Sequence, residues 1–237
     1  MLDTALVALR LAQYVGATIL FGSSLFFLYA LSGAGSASAA ALGWPKRLVS
    51  AAAVLTLVGA LLGFVVQTGI MAGSLAEGLK PASLAFVGGG TGIGRAALAR
   101  AGLAGASLLA LLIVPPGRCL WLILATLGGA AAAGLAWMGH GAATEGPGHL
   151  VHLVSDILHS LTAGVWVGAL TAFLLLLRSR VEGSPDRQRA LHAALRGFSG
   201  IGSLLVAVLV ATGLVNSWFL VSPGKVEGLW STPYGGL

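Results

Sequence analysis

The sequence predicts an all-α protein that crosses a membrane about six times. Of its 237 residues, 57% are hydrophobic and only 8% are charged, whereas a soluble domain carries about 25% charged residues. The hydrophobic residues form six continuous runs, each near the roughly 20 residues that a membrane-spanning helix needs. These observations exclude a soluble globular protein and predict a polytopic transmembrane helix bundle in a lipid bilayer.

The predicted helices form one transmembrane domain over residues 1–237. Continuous apolar runs favour helices over the alternating segments of about ten residues that build a membrane β-barrel. The short connection Pro115–Arg118 predicts that the third and fourth helices form an antiparallel hairpin. Glycines four residues apart, which allow close helix contact, occur at Gly59 and Gly63, Gly69 and Gly73, and Gly164 and Gly168. The predicted helices cover residues 5–31, 48–72, 96–114, 119–138, 150–177 and 197–221.

The distribution of lysine and arginine predicts the orientation in the membrane. The connections after the first, third and fifth helices carry eight of these residues, and the opposite side carries three. The positive-inside rule therefore places those connections in the cytoplasm and both termini in the periplasm. This clustering accounts for the net charge of +6 without a nucleic-acid partner, because no basic stripe is interleaved with aromatic residues.

The candidate metal ligands lie close together in the sequence, on the predicted periplasmic side. Four of the five histidines fall within twenty residues. From residue 149 onward, the histidines and Asp156 form one stripe on the fifth helix, over an arc of about 80° and a depth of about 10 Å. Ionisable side chains at such depth usually line a bundle interior or an ion pathway. Imidazole and carboxylate groups bind copper and zinc, and thioethers select Cu(I). The pattern predicts a metal or proton site that includes His140, His149, His152, Asp156, His159 and Met138.

Two arginines occur inside predicted helices, in their outer parts. Arg10 and Arg100 each need a partner or a water-filled cavity at that depth. One hypothesis makes Asp156 the counter-charge of Arg10 or Arg100 and therefore a structural anchor. The other makes Asp156 a metal ligand, and the residues alone leave both open.

Catalytic chemistry has little support in the sequence. The single cysteine, Cys119, excludes a disulfide framework and a thiolate-rich metal site. Ser155 and Ser160 adjoin histidines in sequence, but neighbouring positions on a helix do not face each other. We therefore expect neither enzymatic activity nor a catalytic residue, and no organic cofactor site.

Several short motifs resemble the signature of a known family. Residues 139–143, 156–159 and 165–170 resemble the GHAA…DxxH…WxGxL pattern of the copper resistance protein D (CopD) family. Further similarity covers almost the whole chain in the right order. It includes Arg10 with Tyr14 and Phe21-Gly22, residues 91–95 with Arg100, Phe198-Ser199, residues 211–213 and residues 232–235.

This resemblance implies a bacterial inner-membrane protein that moves copper ions between periplasm and cytoplasm, with a periplasmic copper-binding protein of the CopC type as its partner. It makes His140 and His159 the strongest candidates for copper contact, and Trp166 with Gly168 packing elements. His149, His152 and Met138 follow as candidates on spacing and side alone. Family members usually continue beyond residue 235 into about two further helices, so a fragment or a shortened member is expected.

We therefore expect copper transport or handling, in which the histidine cluster captures periplasmic copper and passes it inward along the fifth helix. One alternative is a haem-bearing electron carrier, because membrane histidines also serve as axial ligands. Three of the four clustered histidines lie along one predicted helix, whereas such carriers usually need histidines on facing helices. Another alternative is a copper sensor or assembly factor that does not transport.

Overall fold

The computed structural model describes residues 2–30, 43–139, 142, 144–178 and 185–221. All regular elements within these ranges are helical. Six helices there are long and apolar enough to cross a membrane, so the predicted multi-pass helix bundle is confirmed. The elements are α1 (Leu2–Ala30), α2 (Trp44–Met71), α3 (Leu75–Gly78), α4 (Pro81–Gly90), α5 (Gly92–Ile113), α6 (Arg118–Ala133) with a 3-10 turn (Gly134–Met138), α7 (His149–Arg178) and α8 (Pro185–Val221).

Several helices begin earlier than hydropathy predicts. Helix α2 includes Trp44-Pro45, because proline fits the first turn, where its missing N–H would have no helical acceptor. Helix α5 begins at Gly92, where the Thr91 hydroxyl accepts a hydrogen bond from the Gly94 amide at 3.0 Å. Helix α8 begins at Pro185 instead of residue 197. Its first turns are too polar for a hydropathy window, yet they consist mainly of helix-favouring residues.

The connection between α2 and α5 also differs from the prediction. The predicted helices end at residue 72 and resume at residue 96, which leaves the residues between them without a predicted helix. The short helices α3 and α4 lie in this connection. The Ser74 hydroxyl accepts a hydrogen bond from the Glu77 amide and caps α3, and proline occupies the first turn of α4.

Helix α1 lies at the centre of the bundle. It packs against α2, α6 and α7, while α5 packs against both α2 and α6. The contact between α5 and α6 confirms the predicted hairpin. Helix α8 packs mainly against α7, at the edge of the bundle. Every span except α5 and α8 therefore shares a broad interface with α1.

Small residues allow α1 and α7 to approach closely. A Cβ atom added at Gly22 would overlap the backbone of Gly164, and one added at Gly168 would overlap the backbone of Gly22. The predicted close contact at Gly164 and Gly168 is thus confirmed. The pair at Gly69 and Gly73 differs, because Gly73 is a turn residue with φ of +83°.

Aromatic residues fill the end of the bundle where α1 terminates. The Phe27 ring contacts Trp44 of α2 and Trp121 of α6, with ring centroids 5.7 and 5.0 Å away. Trp166 of α7 packs on Phe198 of α8 at 5.3 Å, which agrees with the packing role that the resemblance implies. Aromatic contacts thus hold this end together, and the buried Arg100 and His152 lie toward the other end.

The α1–α7 contact predicts the effect of enlarging Gly168. We expect Gly168→Val to lower the free energy of unfolding by about 1–3 kcal/mol, because overpacking forces backbone shifts. Thermal unfolding of the purified protein in detergent measures the loss. Gly102→Val is the matched control, since a Cβ atom there meets nothing within 4 Å. Equal melting temperatures for the two variants would contradict the close contact.

Candidate functional site

The polar side chains of the spans meet at one end of the bundle. This end, which we call the polar end, contains the start of α1, α5 and α7 and the end of α2, α6 and α8. Arg10 of α1 reaches Gln67 of α2, and His159 of α7 reaches Thr212 of α8. The candidate metal ligands and the two arginines were predicted on the same side of the membrane, and the positions of Arg10 and His159 agree with that prediction. Which side of the membrane this end faces stays a prediction.

Arg100 is the most deeply buried charged residue of the polar end. Its side chain is 1% exposed. Its Nε donates a hydrogen bond to Gln13 Oε1 of α1 at 3.1 Å, and its Nη1 donates to the Gly134 carbonyl oxygen at 2.6 Å. The C-terminal end of a helix carries partial negative charge, which suits a guanidinium group. Arg100 therefore joins α5, α1 and the end of α6 through one side chain.

Gln13 fits into a notch that two glycines leave in α2. A Cβ atom at Gly63 would lie 2.9 Å from Gln13 Nε2, and one at Gly59 would lie 3.0 Å from Gln13 Cγ. The predicted close contact at Gly59 and Gly63 is therefore confirmed, but it receives a polar side chain. Sequence reasoning missed Gln13 and Gln67. The sequence does contain a signal for them, because they are amide side chains in otherwise apolar spans, on the same side as the arginines.

The predicted ion pair between Asp156 and an arginine is not formed. In the described part of the chain, neither Arg10 nor Arg100 lies within ion-pair distance of Asp156, and the ion pair found there joins Lys80 to Glu77. Asp156 does not pair with Arg100 because Gln13 Oε1 and the Gly134 carbonyl oxygen accept hydrogen bonds from that guanidinium group. The hypothesis of a direct structural anchor at Asp156 is therefore wrong.

Asp156 faces the end of α6 instead. Its Oδ2 lies 3.6 Å from the point where a Cβ atom on Gly139 would be. Tyr14 of α1 lies within electrostatic range of Asp156 and of both arginines. Asp156 thus lies beside the residue that directly precedes His140, which falls outside the described residues.

The histidine stripe forms on α7, but its members have different partners. His149 is exposed, with Nδ1 3.1 Å from the Gly146 carbonyl oxygen. His152 is buried; its Nδ1 lies 2.6 Å from Thr144 Oγ1 and its ring stacks on Phe219. Within the described ranges, no three His, Cys, Asp or Glu side chains come close enough together to hold a metal ion. This result does not apply to a metal site that includes His140, because His140 is not among the described residues.

His159 forms a hydrogen bond with Thr212 that bears on its tautomer. The Thr212 hydroxyl donates its proton to the Val208 carbonyl oxygen at 2.6 Å. Its oxygen is then left to accept from His159 Nδ1, which is 2.9 Å away. A neutral histidine that donates through Nδ1 carries its lone pair on Nε2. Such a hydrogen bond is the usual way in which a protein fixes the tautomer of a metal-binding histidine.

Met138 lies beside the two arginines. It lines a cavity of about 20 Å³ together with Arg10, Gln13, Gln67 and Arg100. Met71, which ends α2 at the same end of the bundle, is 49% exposed. The polar end therefore has two parts, an arginine cavity between α1, α2 and α5 and a histidine region between α7 and α8.

The hydrogen bonds of Arg100 predict a large effect of removing Gln13. We expect Gln13→Leu to lower the free energy of unfolding by about 2 kcal/mol, because a buried charged donor loses its acceptor. Gln67→Leu is the control, since its partner Arg10 is only half-buried and the contact is 3.4 Å long. Chemical unfolding in mixed micelles compares the two. An equal or smaller loss in Gln13→Leu would contradict the assigned role.

Six spans with a shared polar end define the class of this molecule, a multi-pass helical membrane protein with ionisable side chains inside the bundle. Residues 1–150 match the family model described as copper resistance protein D-like, N-terminal domain. The chain is 37% identical to copper resistance protein D of Pseudomonas syringae pv. tomato over 98% of its own length and 75% of that protein. It therefore belongs to the copper resistance protein D family, as the motifs suggested.

A second relative shares a shorter region. Copper transport protein CutJ of Bacillus subtilis (strain 168) is 34% identical over 100 residues, which is 42% of this chain and 17% of that protein. No solved structure matches the chain.

Proposed function

We propose that the protein handles copper at the bacterial inner membrane, without enzymatic activity. In this proposal the polar end faces the periplasm, captures copper through His140 and His159, and passes it inward along α7. Membership of the copper resistance protein D family supports a copper-related membrane function. A separate periplasmic copper-binding protein of the CopC type would deliver the ion to the exposed start of α7.

The orientation of His159 is the observation that carries the proposal. The Thr212 hydroxyl proton is used by the Val208 carbonyl oxygen, which favours donation from His159 Nδ1 and leaves the lone pair on Nε2 for a metal ion. Asp156, one helical turn earlier, points toward the residue before His140. We assign Asp156, His140 and His159 to the copper contact, with carboxylate and imidazole as the ligand types.

The remaining predicted ligands receive different roles in this proposal. His149 is exposed at the start of α7, which suits a first contact with incoming copper. The ring of His152 is enclosed by Thr144 and Phe219, which suits a part in holding the histidine region together. Met138 lies beside two guanidinium groups, and their positive charge opposes a bare copper ion there.

The proposal predicts loss of copper from a double variant. We expect His140→Ala with His159→Ala to remove most bound copper, measured by metal analysis of the purified protein, and to change copper accumulation in cells. His192→Ala is the matched control, because His192 is exposed on α8 outside the polar end. Unchanged copper content in the double variant would contradict the proposal.

Two further readouts separate the proposal from its alternatives. A Soret band in the visible spectrum would indicate a haem-bearing electron carrier. Reconstituted vesicles that bind copper without taking it up would indicate a sensor or an assembly factor. Copper uptake into vesicles that contain the unaltered protein, and its loss with the double variant, would support transport.

The Thr212 hydrogen bond predicts a second, smaller effect. We expect Thr212→Val to weaken copper affinity by about 10- to 100-fold, because such partners orient and polarise metal-binding histidines. Its copper stoichiometry at saturation should stay unchanged. Thr162→Val is the control, since that hydroxyl bonds only its own helix, to the Leu158 carbonyl oxygen. Equal affinity in both variants would argue against His159 as an oriented ligand.

A further inference from the structure

The arginine cavity holds more positive charge than its surroundings balance. Arg10 and Arg100 both line it, and two guanidinium groups bring two positive charges. None of the described residues that line the cavity is acidic. Asp156, the nearby carboxylate of α7, faces Gly139 and pairs with neither arginine. Neither positive charge is therefore paired with a carboxylate in the described spans.

Several donors of the two arginines have no acceptor among the residues that the structure describes. Arg100 uses Nε and Nη1 for Gln13 and Gly134, while its Nη2 meets no acceptor in the described part of the chain. Arg10 uses only Nη2, for Gln67. The Arg100 side chain is 1% exposed and lines the cavity, so little solvent outside the cavity reaches its remaining donor. Buried donors in native proteins almost always find a partner.

The size of the cavity limits what the partner can be. Its volume is about 20 Å³, and a space of roughly 10–15 Å³ on this measure holds one water-sized species. A monatomic anion suits such a space better than a larger tetrahedral oxyanion. Ile93 and Gly94, in the first turn of α5, also line the cavity. The positive end of the helix dipole adds to the attraction for an anion.

We propose that the arginine cavity is a binding site for a single halide ion, chloride under physiological conditions. The anion accepts hydrogen bonds from the free donors of Arg100 and Arg10 and balances the excess charge. It lies between α1, α2 and α5, apart from the copper contact proposed on α7. The site therefore stabilises the packing of the first helices and does not depend on the proposed copper function.

A titration of chloride against melting temperature tests the site. The full chain in neutral detergent is titrated with chloride in place of gluconate at constant ionic strength. Binding to the folded state predicts a saturable rise in melting temperature. Arg10→Gln should need at least tenfold more chloride for half of that rise. Arg95→Gln, a charge change at the exposed start of α5, should behave as the unaltered protein.

Bromide, which has a strong anomalous signal, locates the ion in crystals of the unaltered protein. An anomalous peak between Arg10 and Arg100 supports the proposal. A cavity without this peak, holding water only, overturns it. An identical response of Arg10→Gln and the unaltered protein in the titration also overturns it. Arg10→Gln is used instead of Arg100→Gln because Arg100 also joins three helices through its hydrogen bonds, so its replacement would disturb the fold.

Discussion

The burial of Arg100 is the constraint on which the arrangement of the helices depends. A charged group within the bilayer is costly unless it is solvated or hydrogen-bonded, and here a glutamine and a helix-end carbonyl accept from the guanidinium group. Meeting both acceptors requires α5, α1 and the end of α6 to converge at one level. The two glycines of α2 are needed as well, because they make room for Gln13. One buried charge thus positions four of the six spans.

The remaining spans depend on α1 in a different way. Helix α7 reaches α1 through glycine backbones that allow almost direct contact, and α8 attaches to α7 through Ser155, His159 and Trp166. Glycine packing therefore sets the position of α7 relative to α1, whereas hydrogen bonds of Arg100 set the position of the arginine cavity. This division separates the proposed copper contact from the excess positive charge, which favours a cation on the α7 side of the polar end.

The sequence predicts the fold well because the hydropathy of each segment indicates whether lipid or water surrounds it. Six spans, the α5–α6 hairpin and two of the three glycine contacts follow from length and spacing. The partners of the polar residues cannot be predicted in this way. Residue spacing gives the angular position of a side chain on its own helix, but not which residue of a neighbouring helix it contacts. The sequence allows an arginine partner for Asp156, whereas Gln13 and Gly134 accept the hydrogen bonds of Arg100 in the structure. His152 and His159 share a stripe, yet they contact Phe219 and Thr212 at separate points on α8.

The central claim is that the polar end faces the periplasm, where copper arrives. Labelling of single cysteines in spheroplasts with a membrane-impermeant maleimide tests this most directly. Native Cys119 is exposed at the start of α6, at the opposite end of the bundle, and Glu145→Cys in a Cys119→Ser background marks the exposed turn before α7. The account predicts labelling of residue 145 in spheroplasts and of Cys119 only after the membrane is opened. Labelling of Cys119 but not residue 145 in intact spheroplasts would contradict it.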